Sequence, residues 1–339
     1  MLAEIDKLEI QVLVNDELDP ITPSMNPSVK VASQFMGIPL SPLAPGTKRD
    51  GATMEMRMDN ICCAAHGISL LLVDKQIATK GNQTHHLLFD AGPEGEVWDR
   101  NSHRLRSDVG SIEHIVLSHY HRDHSGGLVR AIELIQQSNE GNRRVVMDMH
   151  PNRPDFRGVQ ADIPISLEAD PSFDEILAAG ATVLKSDQPH TVLDDFFLVS
   201  GEIPRETPYE DGIYGGLRYD TSKGKWEEDT LIMDERYVMC NLKGKGLVVF
   251  TGCGHAGVVN TCRNALALGN RVPLYSVVGG YHLADANEAK LDATLKDLKI
   301  LNPKVMLAGH CTGWRFKYQI ARDMPNCLVP CFSGSKYTL

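Results

Sequence analysis

The densest group of chemically active side chains lies in residues 117–127, which read LSHYHRDHSGG. Four potential metal ligands fall within six residues there, namely His119, His121, Asp123 and His124. Because side chains alternate along an extended segment, His119 and His121 point the same way and can hold one ion. The chain then turns, and Asp123 and His124 can face a second ion beside the first. Since imidazole and carboxylate are ligands of zinc, the spacing predicts a centre with one or two Zn²⁺ ions per chain.

Such a centre indicates hydrolysis. Bound Zn²⁺ lowers the pKa of its water to about 7 and polarises a carbonyl or phosphoryl oxygen, so a metal-bound hydroxide can attack at neutral pH. Asp123 is expected to orient this nucleophile or to pass a proton to the leaving group. A Cys253–His255 pair is the alternative nucleophile, but a metal role for His255 explains more. The serine-hydrolase pattern G-x-S-x-G does not occur in the chain.

Strands and helices must position these residues, and the hydrophobic pattern predicts both. Strand-length apolar runs alternate with segments of helical spacing, which favours sheets covered by helices in one α/β domain over residues 1–339. Residues 17–59 are rich in Pro, Ser and Gly and predict an irregular excursion with a short helical piece around 28–36. The strands are expected at 7–14, 67–73, 85–92, 112–118, 144–149, 195–200, 230–240, 245–251, 273–278 and 304–308, and the helices near 127–138, 256–268 and 286–299.

Composition narrows the class of protein. The chain has 339 residues, 42% of them hydrophobic and 23% charged, and a formal net charge of −10. This acidic balance argues against nucleic acid as a partner, and no apolar run of about 18 residues predicts a membrane span. The eight cysteines are irregularly spaced without C-x-x-C, and the first residues, MLAEIDKLEI, show no signal-peptide pattern. We therefore expect a reducing compartment and a cytoplasmic protein with a small-molecule substrate.

The segment at 119–124 matches H-x-H-x-D-H, and the chain here resembles the metallo-β-lactamase-fold hydrolases. The upstream run LLFDAG resembles the second strand motif of that superfamily, which ends in Asp and Gly. The resemblance implies an αββα sandwich, with two mixed β-sheets flanked by helices. It also implies that Asp90 orients a ligand histidine.

The resemblance narrows with five further segments, which are similar to the branch of the dihydropterin-ribofuranosylaminobenzene phosphate synthases. Glu202, Arg205 and Asp229 match positions that recur in this branch, and His66 lies in one of the segments. The resemblance places these four residues around the metals or the substrate. Arg205 could clamp an anionic group, with a structural salt bridge as the alternative. The five segments are HGIS (66–69), SGEIPR (200–205), GCGHAG (252–257), GGYHL (279–283) and GHCTG (309–313).

Each catalytic zinc takes three protein ligands and keeps one position open, so both sites need one more ligand. The candidates His255, His282 and His310 each follow a strand-like run. We predict that His255 completes the first site and His310 the second, with His282 as the alternative to either.

One departure from the superfamily concerns the bridging ligand. Many members carry a Gly-Asp segment whose Asp bridges both metals, whereas this chain has SGEIPR and TGCGH in the corresponding places. The bridging carboxylate is absent or is replaced, either by Cys253 or by water alone. Diiron members carry Glu where this chain has His121, which favours zinc over iron and leaves Mn²⁺ as an alternative.

Three functions are compatible with these residues. The first is a zinc-dependent hydrolase that opens a cyclic amide, carbamate or ester of a small molecule. The second is a metal-dependent phosphoester or pterin-phosphate enzyme, as the branch implies, although Arg205 is the one cation that the sequence places nearby. The third is a metal-binding sensor without catalysis. Four aromatic residues in 204–229 could form a lid over a flat substrate, with an ordinary solvated loop as the alternative, namely Tyr209, Tyr214, Tyr219 and Trp226.

Overall fold

The computed structural model describes residues 2–24, 26–31, 38–47, 49–76 and 84–339. Its seven α-helices are α1 Gly95–Arg104, α2 Arg122–Ser125, α3 Leu128–Ser138, α4 Phe173–Ala178, α5 Val258–Leu268, α6 Glu288–Leu301 and α7 Trp314–Asp323. The strands are β1 Glu4–Ile5, β2 Lys7–Val14, β3 Lys30–Val31, β4 Ser41–Pro42, β5 Met54–Glu55, β6 Ser69–Lys75, β7 His86–Phe89, β8 His114–Val116, β9 Val146–Met149, β10 Phe156–Gln160, β11 Pro164–Ser166, β12 Thr182–Lys185, β13 His190–Val192, β14 Phe197–Val199, β15 Gly216–Asp220, β16 Lys225–Glu228, β17 Val238–Leu242, β18 Gly246–Thr251, β19 Leu274–Gly279, β20 Val305–Ala308 and β21 Lys336–Thr338.

Two large mixed sheets form the centre of the molecule. The first runs β12-β9-β8-β7-β6-β2-β21-β3, and the second runs β13-β14-β17-β18-β19-β20 with β1 beside β17. Strands β7, β8 and β9 are parallel in the first sheet, and β18, β19 and β20 are parallel in the second. Since parallel strands end at the same edge, the loops that follow these strands are brought together.

Three apolar layers hold the sheets and helices in place. Leu70 and Leu72 face the core between the two sheets, whereas Leu71 and Val73 face the helices α1, α3 and α4. This alternation follows from the two-residue period of a strand whose two faces are both covered. In the second sheet, Phe250 faces the same central core, and a third apolar cluster fills the space under α5, α6 and α7. The layers are helix, sheet, sheet and helix, as predicted.

The predicted elements agree with the structure except in two places. Residues 230–237 form irregular chain with one turn at residues 233–234 instead of a strand, and the strand starts only at Val238. The reason is that the buried acids Asp234 and Glu235 bind backbone N–H groups of other segments. The helical piece expected around 28–36 is a short strand at Lys30–Val31, and its residues 32–36 lie outside the described part.

The described part of the excursion at 17–59 is irregular apart from β3, β4, β5 and one turn of 3₁₀ helix at Met58–Asn60. A smaller sheet, β11-β10-β15-β16, lies outside the two large ones and was not predicted. Among the described residues, no helix has the length and apolar character required to cross a membrane.

Candidate metal centre

The candidate site forms where β8, β18 and β20 end. The loop after β8 carries His119 and His121, and α2 carries Asp123 and His124. The loops after β18 and β20 approach from the other sheet. The side chains sort into two groups, which we call the imidazole group, consisting of His119, His121 and His255, and the mixed group, consisting of Asp123, His124, Cys253 and His310.

In the imidazole group, three ring nitrogens converge. His119 Nε2 lies 2.9 Å from His121 Nδ1, and His255 Nε2 lies 3.1 Å from both. Burial, followed by the neighbouring histidines, lowers the pKa of His119 and of His255 well below its usual value. Burial and then the charge of Arg157 lower the pKa of His121 to about 3.

These three neutral imidazoles fit a divalent metal ion. Three ring nitrogens that face one another cannot all be satisfied by mutual hydrogen bonds, since each neutral ring has one donor and one acceptor. His119 already uses Nδ1 toward Ser118 Oγ, at 2.9 Å, so its Nε2 is directed at the group. Histidine binds zinc as the neutral imidazole, through the lone pair of one ring nitrogen.

The mixed group carries charge. Asp123 Oδ2 lies 3.2 Å from His310 Nε2 and 3.6 Å from His124 Nε2. Cys253 Sγ lies 3.1 Å from His124 Nε2 and 3.3 Å from His310 Nε2. These four ligand atoms lie within 4.8 Å of one another, and Cys253 forms a second such set with His119 and His255. The donor set of oxygen, nitrogen and sulfur also fits a zinc ion.

The charges of the mixed group stabilise one another in the metal-free protein. Burial by itself raises the pKa of Asp123, but His124 and His310 outweigh this effect and the net shift is downward. Burial likewise works to lower the pKa of His124, and Asp123 and Asp90 reverse the direction. The sequence analysis assigned His255 to the first site and His310 to the second, and their side chains lie in the imidazole group and in the mixed group.

Asp90 is buried and connects the two groups, because it binds His124 directly and His119 through the Ser118 hydroxyl. Its Oδ2 accepts hydrogen bonds from His124 Nδ1 at 2.6 Å and from Ser118 Oγ at 2.7 Å, while Oδ1 accepts from Ser118 N at 2.7 Å. The Nδ1 proton of His124 therefore points at Asp90, which leaves Nε2 free for a metal. The loop after β18 approaches so closely that a Cβ on Gly252 would lie 2.2 Å from Ser118 Oγ, and only glycine fits there.

Asp16 is a residue of the site that the sequence analysis missed. Its Oδ1 lies 2.8 Å from His310 Nδ1, and its Oδ2 lies 2.8 Å from His66 Nδ1. The preceding Asn15 accepts a hydrogen bond from His310 N at 2.8 Å. His66 is thus placed beside the mixed group, with Nε2 3.6 Å from Asp123 Oδ2. The signal was weak, because Asp16 stands alone at the end of a predicted strand.

Glu235 was also missed, and it shapes the loop that carries His255. Its buried carboxylate accepts hydrogen bonds from the backbone N–H groups of Gly254, His255 and Ala256 at 2.8, 2.9 and 2.6 Å. Arg205 supports the same loop, because its Nη1 donates to the His255 carbonyl oxygen at 2.9 Å and its Nη2 donates to that of Leu231. Both terminal nitrogens of Arg205 therefore bind backbone carbonyl oxygens, in place of the anionic group that the sequence analysis considered.

The remaining predicted residues lie farther from the ligand atoms. Asp229 accepts a hydrogen bond from Arg157 Nη1 at 2.6 Å, and Arg157 also binds Asp234, whose Oδ2 accepts from Tyr120 N at 2.9 Å. Asp229 thus acts on the 119–124 segment only through this chain of contacts. Glu202 is exposed and does not line the cleft over the site.

His282 lies beside the imidazole group, with its ring centre 4.3 Å from that of His255. Among the described residues it belongs to none of the sets of convergent ligand atoms. His255 Nε2 lies 3.1 Å from His119 Nε2 and His310 Nε2 lies 3.3 Å from Cys253 Sγ, and His282 stays the alternative ligand that the sequence analysis named.

The two groups open into a cleft of about 1370 Å³. Tyr214, which is 97% exposed, and Trp314 stand on its walls, as do Lys290 and Lys317. The other three aromatic residues do not line the cleft, so the four residues do not form a lid. Tyr219 and Trp226 pack on each other in the smaller sheet, with ring centres 5.2 Å apart, and the Tyr209 hydroxyl donates to Asp297 at 2.6 Å.

The chain is similar in sequence to known proteins. The sequence model of the metallo-β-lactamase superfamily matches residues 77–206. The 7,8-dihydropterin-6-methyl-4-(β-D-ribofuranosyl)-aminobenzene-5′-phosphate synthase of Methanocaldococcus jannaschii is 28% identical over 263 residues, covering 74% of this chain and 82% of the relative. An uncharacterized protein of the same organism is 28% identical over 254 residues, covering 74% of this chain and 86% of the relative.

A solved structure shows the same fold. The crystal structure of a metal-dependent hydrolase of the β-lactamase superfamily superposes with a TM-score of 0.66 at 20% identity, covering 97% of this chain and 98% of the other. The predicted fold and the predicted resemblance, including its branch, are confirmed.

Proposed function

Because the chain has the metallo-β-lactamase fold and matches that superfamily's sequence model, we propose that it is a zinc-dependent hydrolase of a small molecule, acting on a cyclic amide, carbamate or ester. The observation that carries the proposal is the convergence of the imidazole group and the mixed group at the floor of one open cleft. A non-catalytic sensor has no need of two adjoining metal positions that face a cleft of this size.

The residues of the two groups would hold the metal ions. When bound there, divalent zinc supplies a Lewis acid for the substrate's oxygen and lowers the pKa of a coordinated water to about 7. Asp123 lines the cleft, and its carboxylate is placed to orient the nucleophile or to carry a proton to the leaving group. Asp16 and Asp90 keep the ligand rings in orientation, so that the site is preorganised.

The charged residues of the cleft favour a substrate without strong negative charge. Its two lysines are already paired, Lys290 with Asp211 at 3.1 Å and Lys317 with Glu17 at 2.8 Å. Arg205, the cation expected to clamp an anion, is engaged with backbone carbonyls. A phosphate group would therefore compete with carboxylates for each of these cations.

A pterin-phosphate or phosphoester enzyme is the second candidate. It is favoured by the similarity to a relative whose name includes a dihydropterin and a phosphate, and by Trp314, which is 73% exposed on the cleft wall where a flat ring could stack. Under this alternative the lysines would exchange their carboxylate partners for the phosphate.

A substrate panel tests the proposal. The zinc-loaded protein is assayed with lactones, lactams, cyclic carbamates and phosphodiesters, with His121→Ala as the matched metal-site control. Ring opening that is lost in His121→Ala supports the proposal. Turnover of the phosphodiesters alone would establish the second candidate, and stoichiometric zinc without turnover of any member would favour a sensor.

We also propose zinc over manganese, and a cytoplasmic location. Histidine-rich ligand groups with a thiol favour zinc, and all eight cysteines are unpaired, as expected in a reducing compartment. Elemental analysis of protein purified without chelator should give one to two zinc ions per chain. Less than about 0.2 equivalents of any transition metal would contradict the metal assignment.

A further inference from the structure

We infer that Cys253 is a ligand shared by both metal positions, in the place where many superfamily members use a bridging aspartate. The inference rests on the proposed metal-dependent function. Cys253 Sγ belongs to two sets of convergent ligand atoms, one with Asp123, His124 and His310 and the other with His119 and His255.

The distances match the geometry of a zinc ligand. In a tetrahedral zinc site with Zn–N near 2.05 Å and Zn–S near 2.3 Å, nitrogen and sulfur ligands lie about 3.5 Å apart. Cys253 Sγ is 3.1 Å from His124 Nε2 and 3.3 Å from His310 Nε2. It also lies within 4.8 Å of His119 and His255.

A single sulfur can reach two ions at the spacing that such centres use. A sulfur about 2.3 Å from each zinc permits metal–metal distances up to about 4.6 Å, which includes the range of about 3.5–4 Å found in two-metal sites. Cys253 is also buried, with 4% of its surface exposed, so its side chain is confined to this position between the groups.

A second thiol in the site provides a matched control. Cys311 lines the cleft, and its Sγ donates to the Cys253 carbonyl oxygen at 3.2 Å. Within the described residues, it is absent from every set of convergent ligand atoms. The two cysteines are therefore neighbours on the loops after β18 and β20, but only Cys253 belongs to both sets of ligand atoms.

A shared thiolate predicts the metal preference. Thiolate is a soft ligand that selects zinc and cobalt over manganese, whereas a bridging carboxylate accepts manganese well. Binding releases the thiol proton to solvent, because the thiolate is the ligand. Replacement of Cys253 by aspartate should therefore restore the carboxylate bridge and shift the preference toward Mn²⁺.

X-ray absorption at the zinc edge measures the shared ligand directly. In wild-type protein loaded with two zinc ions, we expect about one sulfur neighbour per zinc at about 2.3 Å. A ligand bound to one ion alone would give about half a sulfur per zinc, and this result would overturn the bridge. Absence of sulfur around two bound zinc ions would overturn any ligand role, while the proposed function would stand. Absence of bound zinc would refute the proposed function itself.

Cobalt-substituted variants assign the sulfur to its residue. Wild type and Cys311→Ser should both show the near-ultraviolet thiolate-to-cobalt charge-transfer band. Cys253→Ser should lack it, and Cys253→Asp should lack it while still binding two ions and preferring Mn²⁺ more than wild type does. Circular dichroism verifies that each variant is folded. A band that survives in both folded Cys253 variants, or that disappears in Cys311→Ser, would contradict the inference.

Discussion

The imidazole group and the mixed group lie side by side, yet they are held and charged differently. The imidazole group consists of three neutral rings whose pKa values burial lowers. The mixed group contains Asp123, whose pKa is lowered by His124 and His310, and it is backed by Asp90 and Asp16. An ion in the imidazole group would therefore keep more of its positive charge for polarising a substrate than an ion in the mixed group, whose charge Asp123 also neutralises.

The difference also appears in the support of each group. The His255 loop is held by backbone hydrogen bonds to Glu235, while His310 is held through its ring by Asp16. Loss of support should therefore displace a whole loop in the first case and release one ring in the second.

The largest expected effect comes from removing a ligand of the imidazole group. His121→Ala should lower turnover at least about 100-fold and remove about one metal equivalent, since loss of an outer partner alone typically costs about 10–100-fold. Metal analysis and steady-state kinetics measure both changes. His103→Ala is the control, because His103 is an exposed histidine of α1. If His121→Ala retains more than about a tenth of wild-type turnover, the imidazole group is not the catalytic one.

A smaller effect is expected from Asp16→Asn, which weakens the support of His310 while leaving the ligands in place. The affinity of the mixed group for zinc should fall about 10-fold, because the asparagine oxygen is a weaker and uncharged acceptor for His310 Nδ1. Competition with a chromophoric chelator resolves the two affinities. The neighbouring Glu17→Gln serves as control, since Glu17 pairs with Lys317. Equal weakening of both affinities would remove the distinction between the groups.

The two groups also differ in how far the sequence predicts them. His119, His121, Asp123 and His124 are local in the chain, so strand periodicity and a turn suffice to place them. Asp90 was predicted from the motif LLFDAG, in which it directly follows β7. The carboxylates that support the later loops could not be found in this way. Asp16 and His310 are 294 positions apart, and no periodicity records a contact between distant loops.

Glu235 shows a second reason why the sequence does not predict some residues of the site. Its surroundings, TLIMDERYVMC, are apolar enough to predict a strand over 230–240. The structure has irregular chain up to residue 237, because the buried acids have their hydrogen-bond partners in other segments. Tertiary contacts outweigh local propensity here, and only the fold shows that the acid belongs to the site. The aromatic lid is not formed for a similar reason, because Tyr219 and Trp226 pack against each other across β15 and β16.

The smallest effect is expected from Glu235→Gln, and here two contributions oppose each other. Burial raises the pKa of Glu235 although three backbone N–H groups favour its charged form, so removing the charge relieves a desolvation cost. The amide, however, has only one acceptor oxygen, and its NH₂ group would face the Ala256 N–H that now donates to Oε2. An unsatisfied buried donor costs about 1–3 kcal/mol.

We expect the lost acceptor to dominate, with a net loss of about 1 kcal/mol in the free energy of unfolding of the metal-free protein. Urea unfolding measures this loss, and Glu202→Gln, an exposed position, should change the value by less than about 0.5 kcal/mol. Because the His255 loop is displaced as a unit, the affinity for zinc should fall in the imidazole group and stay unchanged in the mixed group. A variant as stable as wild type would mean that relief of the buried charge equals the lost hydrogen bond. Selective weakening of the mixed group would instead reverse the assignment of Glu235 to the His255 side of the centre.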